Sequence, residues 1–78
     1  MKVKLKLMAF AQAREMFDFS EKIVECEVGR TPRELMELVA PGVSLEGLRV
    51  AVDCEFVDWD KAIGEAAEIA LLPPVSGG

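Results

Sequence analysis

The sequence predicts an α+β fold, a mixed sheet with helices packed on one face and an extended C-terminal tail. Three observations predict it. Val3, Leu5 and Leu7 alternate with Lys2, Lys4 and Lys6, the period of a strand with one buried and one solvated face. Thr31-Pro32-Arg33-Glu34 carries the start signal of a helix. A last apolar run, Glu68 to Leu72, meets Pro73-Pro74, and paired prolines end a strand and project the residues beyond them away from the sheet.

The first strand is expected from Lys2 to about Phe10. Ala11-Gln12-Ala13-Arg14-Glu15-Met16-Phe17 is rich in helix formers and short, so it predicts a turn or two of helix. Residues 18–21 form a polar connection. Ile23, Val24, Cys26 and Val28 interleave with Lys22, Glu25 and Glu27, which predicts a second strand pairing back on the first and ending at Gly29-Arg30.

Thr31 is a capping residue, Pro32 suits the first helical position and Glu34 stands three after the cap, which together make a capping box. Leu35, Leu38 and Val39 are expected to share the face that covers the sheet, with Pro41-Gly42 as the stop. Truncating a buried Leu35 or Leu38 is then worth about 2–5 kcal/mol. Arg49 to Val52 reads as a strand, Asp53-Cys54-Glu55 as a turn, Phe56-Val57 as a short return strand and Glu68 to Leu72 as the last. This order of elements fits a β-grasp arrangement. A chain of 78 residues forms one domain over residues 1–78, with residues 73–78 as a flexible tail, and its expected stability is roughly 4–12 kcal/mol.

Composition removes several functions. The formal charge of −5, without a Lys/Arg block, repels nucleic-acid phosphates and anionic lipid surfaces, so the expected partner presents a basic face or an anion-binding site. No apolar run reaches the length of a membrane span, and the cytoplasm is the expected compartment. The chain has no histidine, no glycine-rich phosphate loop and no nucleophile beside a plausible base, which argues against an independent enzyme. Cys26 and Cys54 are flanked by acidic residues. They are expected to be reduced and structural rather than reactive or metal-binding. Trp59 reads as a partly buried surface anchor.

The chemistry lies in Leu71-Leu72-Pro73-Pro74-Val75-Ser76-Gly77-Gly78. Proline fixes φ and biases its predecessor toward extended backbone, and six extended residues reach at most ~20 Å, enough to enter another protein's active site. Gly77 and Gly78 lack a Cβ and thread the narrowest channel a peptide can use. A terminal carboxylate is inert toward acyl transfer until activated. Attack on a nucleotide phosphate gives an acyl-adenylate, and a sulfur donor that displaces AMP leaves a thiocarboxylate on Gly78. Phe10 and Val75 are candidates for partner docking, one of Leu71 and Leu72 should face inward because they alternate, and Arg14, with Glu15, is a candidate for steering the partner or orienting the tail.

Three segments carry a family likeness: Leu7-Met8-Ala9-Phe10-Ala11-Gln12-Ala13-Arg14-Glu15, Val50-Ala51-Val52, and the run from Glu68 to Gly78. On these the chain resembles the small subunits of molybdopterin synthase, ubiquitin-like β-grasp sulfur carriers. The resemblance implies adenylation of Gly78 by an enzyme related to the ubiquitin-activating enzymes, which uses ATP, with no cofactor bound to the carrier itself. It implies sulfuration by a sulfur donor and insertion of Pro73, Pro74, Val75, Ser76, Gly77 and Gly78 into the synthase large subunit. There two loaded carriers convert cyclic pyranopterin monophosphate to molybdopterin, in a heterotetramer of two large and two small subunits. Two departures stand out: Glu65-Ala66-Ala67 replaces the family's usual Asp-Gly-Asp turn, with strain expected at Ala66 if positive φ is required, and Asp53 replaces the usual asparagine. A carrier for thiamine, cysteine or tRNA thiolation, a ubiquitin-like protein modifier, and a noncovalent interaction module are the alternatives. All but the last use Gly78.

Overall fold

The computed structural model describes residues 1–73. Strands β1 (Lys2–Ala9), β2 (Glu21–Glu27), β3 (Arg49–Val52), β4 (Glu55–Val57) and β5 (Glu68–Leu72) are joined by helices α1 (Gln12–Phe17) and α2 (Pro32–Val39). They build one five-stranded sheet in the order β2-β1-β5-β3-β4. β1 runs antiparallel to β2 and parallel to β5, while β3 runs antiparallel to both β4 and β5. This is a ubiquitin-like β-grasp sheet, with β5 at its centre between β1 and β3.

Alternation decides which face is buried. Leu5 and Leu7 of β1, Cys26 of β2, Val50 of β3 and Ile69 and Leu71 of β5 point into one core, which Ala13 and Phe17 of α1 and Leu35 and Met36 of α2 close from the same side. The capping box on α2 is complete: the Thr31 hydroxyl accepts from Glu34 N at 3.2 Å and the Glu34 carboxylate accepts from Thr31 N at 2.9 Å. Two donors that the first turn of a helix leaves unpaired are thereby satisfied. Arg33 reaches from the same turn to Asp60, with Nε to Oδ1 at 2.9 Å. The guanidinium holds the exposed Asp60 carboxyl below its ordinary value.

The buried face of α2 differs from the expected one. Pro32, Leu35 and Met36 are buried, and Leu38 is 64% exposed. At about 100° per residue, Pro32, Leu35, Met36 and Val39 fall within one arc, and Leu38 lies about 60° beyond its edge. The apolar spacing was compatible with either stripe, and Met36 rather than Leu38 fills the core. Ile23 of β2 is likewise exposed, at 64%, because the inward positions of that strand are Val24 and Cys26.

The β3–β4 hairpin is one residue tighter than the sequence suggests. Val52 pairs with Glu55, so Glu55 belongs to β4 and only Asp53 and Cys54 form the loop. Both have positive φ, 48° and 71°, as a two-residue hairpin loop matched to strand twist requires. Aspartate tolerates this backbone readily, cysteine less so. The loop also corrects the reading of Cys54, which is exposed, whereas Cys26 is buried and neither is bridged. Burial pushes the Cys26 thiol above its ordinary value, with Arg30 pulling less strongly the other way. Ala66 does not take positive φ. It is 5% exposed and packs in the core, so the strain expected there does not arise.

Candidate functional site

The carboxyl end of β5 is the point in the fold from which the candidate residues 73–78 follow in sequence. Phe10 N donates to Leu71 O at 3.1 Å, one bond beyond the last residue of β1, and Leu72 pairs with Arg49 of β3. Leu71 is fully buried, and Leu72 and Pro73 are half-buried. The root of the tail is thus gripped on both sides by neighbouring strands and plugged into the core by one leucine.

Phe10 and Arg14 come together at this base. With Met8, Ala9, Ser20 and Glu21 they line an open hollow of about 230 Å³. Phe10 is 40% exposed and Arg14 is exposed. The two ion pairs recorded among the described residues, Met1 with Glu27 and Arg33 with Asp60, lie elsewhere. Pro73 closes the described chain. Pro74, Val75, Ser76, Gly77 and Gly78, the other candidate site residues, lie outside the described residues.

The sheet face away from the helices adds residues that the sequence reading missed. Register sets Met8, Ala70, Ala51 and Phe56 side by side across β1, β5, β3 and β4, on the side opposite Leu7, Ile69 and Val50. Ala51 is only 7% exposed yet stands apart from the core cluster, being covered by its neighbours on this face. Phe56 is 58% exposed and carries the Arg49 guanidinium 4.0 Å above its ring, a cation–π contact. The Leu72–Arg49 pair borders the same stripe. The signal was present in the sequence: the outward positions of β1 read Lys2, Lys4, Lys6 and then Met8, a change from charged to apolar toward the tail end.

This apolar stripe is bounded by charge. Lys2, Lys4 and Lys6 stand across from Glu27, Glu25 and Ile23 on β2, and Lys6 from Glu68 on β5. The unpaired edge of β2 carries Glu21, Lys22, Glu25 and Glu27, which discourages edge-to-edge pairing with another strand. Trp59, half-buried, donates from Nε1 to Leu48 O at 3.0 Å and packs against the core from the far loop.

Residues 7–78 match the ThiS family. A molybdopterin synthase sulfur carrier subunit from Arabidopsis thaliana is 31% identical over 81 residues, covering 97% of this chain and 84% of the relative. Among solved structures, a Pyrococcus furiosus protein assigned as molybdopterin converting factor, subunit 1, superposes with a TM-score of 0.73 at 23% identity, over 94% of this chain and 99% of that one. Small archaeal modifier protein 1 from Haloferax volcanii gives 0.72 at 16% identity, over 94% and 99%. At these identities the likeness to the solved structures is one of fold.

Proposed function

Because the chain belongs to the ThiS family, we propose that it is a sulfur carrier of the molybdopterin synthase type, loaded as a thiocarboxylate on Gly78. The observation that carries this reading is the family match running through residue 78, over the proline pair and the diglycine that come after β5. A carboxylate oxygen of Gly78 attacks the α-phosphate of ATP held by an adenylating enzyme, and pyrophosphate leaves. A sulfur donor then displaces AMP from the acyl group. The thiocarboxylate sulfur is the cargo: it bonds to a pterin precursor in the large subunit, and water then attacks the Gly78 acyl carbon, so that the C–S bond breaks, the sulfur stays on the pterin and the Gly78 carboxylate is regenerated.

In this reading the carrier's own residues hold and present. The grip of Phe10 and Arg49 on β5 fixes the root, and the restricted φ of the two prolines that follow in the sequence lowers the conformational entropy to be lost on insertion. The open stripe of Met8, Ala70, Ala51 and Phe56 offers an apolar docking surface beside that root. Phe10 and Arg14 contribute at its border. Exposed aromatic and arginine side chains are the residue types that anchor interfaces.

A second reading, a ubiquitin-like modifier joined to lysines, is favoured by the fold shared with the archaeal modifier proteins. It begins with the same adenylate and diverges in the acceptor. Reconstitution separates the two. The loaded chain, mixed with a purified synthase large subunit and cyclic pyranopterin monophosphate, is expected to give molybdopterin with consumption of two thiocarboxylates per pterin. Absence of a pterin product, with isopeptide conjugates formed instead in the presence of the adenylating enzyme and ATP, would favour the modifier.

A further inference from the structure

From the hydrogen bonds at the start of β5 we infer that Asp53 is a positioning residue for the tail, clamping the strand from which the tail extends. The Asp53 carboxylate oxygen Oδ1 accepts from Ala67 N and Glu68 N, both at 3.0 Å. Its own N–H donates to Glu68 O at 2.9 Å. On the opposite side of the same residues, Lys6 N of β1 donates to Ala67 O at 2.8 Å. The first turn of chain into β5 is therefore held from both neighbouring strands, and three of the four bonds come from one side chain and backbone in the β3–β4 loop.

The location gives the clamp its effect. Apolar alternation fixes a strand's register only to within even shifts, because a two-residue slip returns the same faces to the core. Such a slip along β5 would move the tail by about 6.6 Å. Two consecutive N–H groups can converge on one oxygen only where the chain bends into the strand, since within a regular strand successive N–H groups point to opposite edges. The Asp53 carboxylate thus recognises the beginning of β5 and no interior position, which sets the number of residues left beyond Leu72. Positive φ at Asp53 is what turns the side chain back toward residues 67 and 68, so the tight hairpin and the clamp are one device.

The consequence for transfer rests on the carrier reading, while the clamp itself does not, and the test separates them. In Asp53→Ala, amide hydrogen exchange at Ala67 and Glu68 is expected to accelerate about tenfold or more, with Leu5 and Val24 in the β1–β2 ladder unchanged. Asp53→Asn keeps the Oδ1 acceptor and is expected to restore wild-type exchange. With an adenylating enzyme, Asp53→Ala should lower kcat several-fold and leave KM for the carrier within about twofold, because the docking face is untouched, and Asp53→Asn should recover kcat. Unchanged exchange at Ala67 and Glu68 would overturn the clamp, as would Asp53→Asn behaving like Asp53→Ala. Accelerated exchange with unaltered kcat would overturn its role in positioning. A wild-type chain that is never adenylated would sink the carrier reading instead, and the exchange comparison alone would then decide the clamp.

Discussion

Adding a single residue after Gly78 is expected to reduce thiocarboxylate formation by about 100-fold or more while leaving thermal stability unchanged. The extra residue replaces the reactive carboxylate by a peptide carbonyl and displaces the new terminal carboxylate by up to ~3.5 Å. Misplacement of a reacting group by about 1 Å can already cost a factor of 10². Among the described residues the core closes at Leu71 and the last ladder pair is Leu72 with Arg49, so the melting curve is expected to stay where it is. Loss of loading with an unaltered melting curve is therefore the signature of a chemical handle. Full activity of an extended chain from which the added residue is demonstrably not removed would contradict it.

The second large effect separates two leucines three residues apart. Leu35→Ala is expected to destabilise by about 2–5 kcal/mol, since the side chain is 2% exposed and its removal leaves a cavity against the sheet. For a domain of this size that lowers the melting temperature by about 10 °C or more. Leu38→Ala, at a 64% exposed position, should stay within about 0.5 kcal/mol, because alanine also favours the helix. Equal losses at the two positions, read from urea or thermal unfolding, would place Leu38 in the core and contradict the packing described for α2.

These leucines also show where sequence reading stops. The strands were legible because period-two alternation and a solvated face leave an unambiguous mark, and Arg49 to Val52 and Glu68 to Leu72 begin and end where the pattern does. The start of α2 was legible because a capping box is a local interaction among four consecutive residues. The face of a two-turn helix was not, since Leu35, Met36, Leu38 and Val39 offer more apolar side chains than one stripe needs, and only the position of the sheet chooses among them. Ile23 and Val24 posed the same problem on β2.

Long-range polar contacts were invisible for a different reason. Asp53 meets Ala67 and Glu68 across 14 and 15 residues of chain, and nothing in either segment alone announces the other. The positive φ at Asp53 and Cys54 follows from strand register, which fixes a two-residue loop, so the turn drawn over residues 53–55 was one residue too long. Strain expected at Ala66 assumed a turn geometry borrowed from relatives, whereas here the segment bends differently and buries its methyl group. The candidate site divides along the same line. Gly77 and Gly78 are candidates by composition, and Phe10 and Arg14 as an apolar and a charged residue for partner contact, all of them visible in the sequence itself, whereas the open stripe ending at Phe56 depends on the register of four strands.

The most direct test of the central claim is the intact mass of the wild-type chain after incubation with ATP, a sulfur donor and the adenylating enzyme. The expected result is an increase by one oxygen-to-sulfur exchange, located by fragmentation on Gly78 and absent when ATP is withheld. A mass that stays unchanged under conditions in which a known carrier is loaded by its own adenylating enzyme, or a sulfur found on Cys26 or Cys54 instead, would contradict the account.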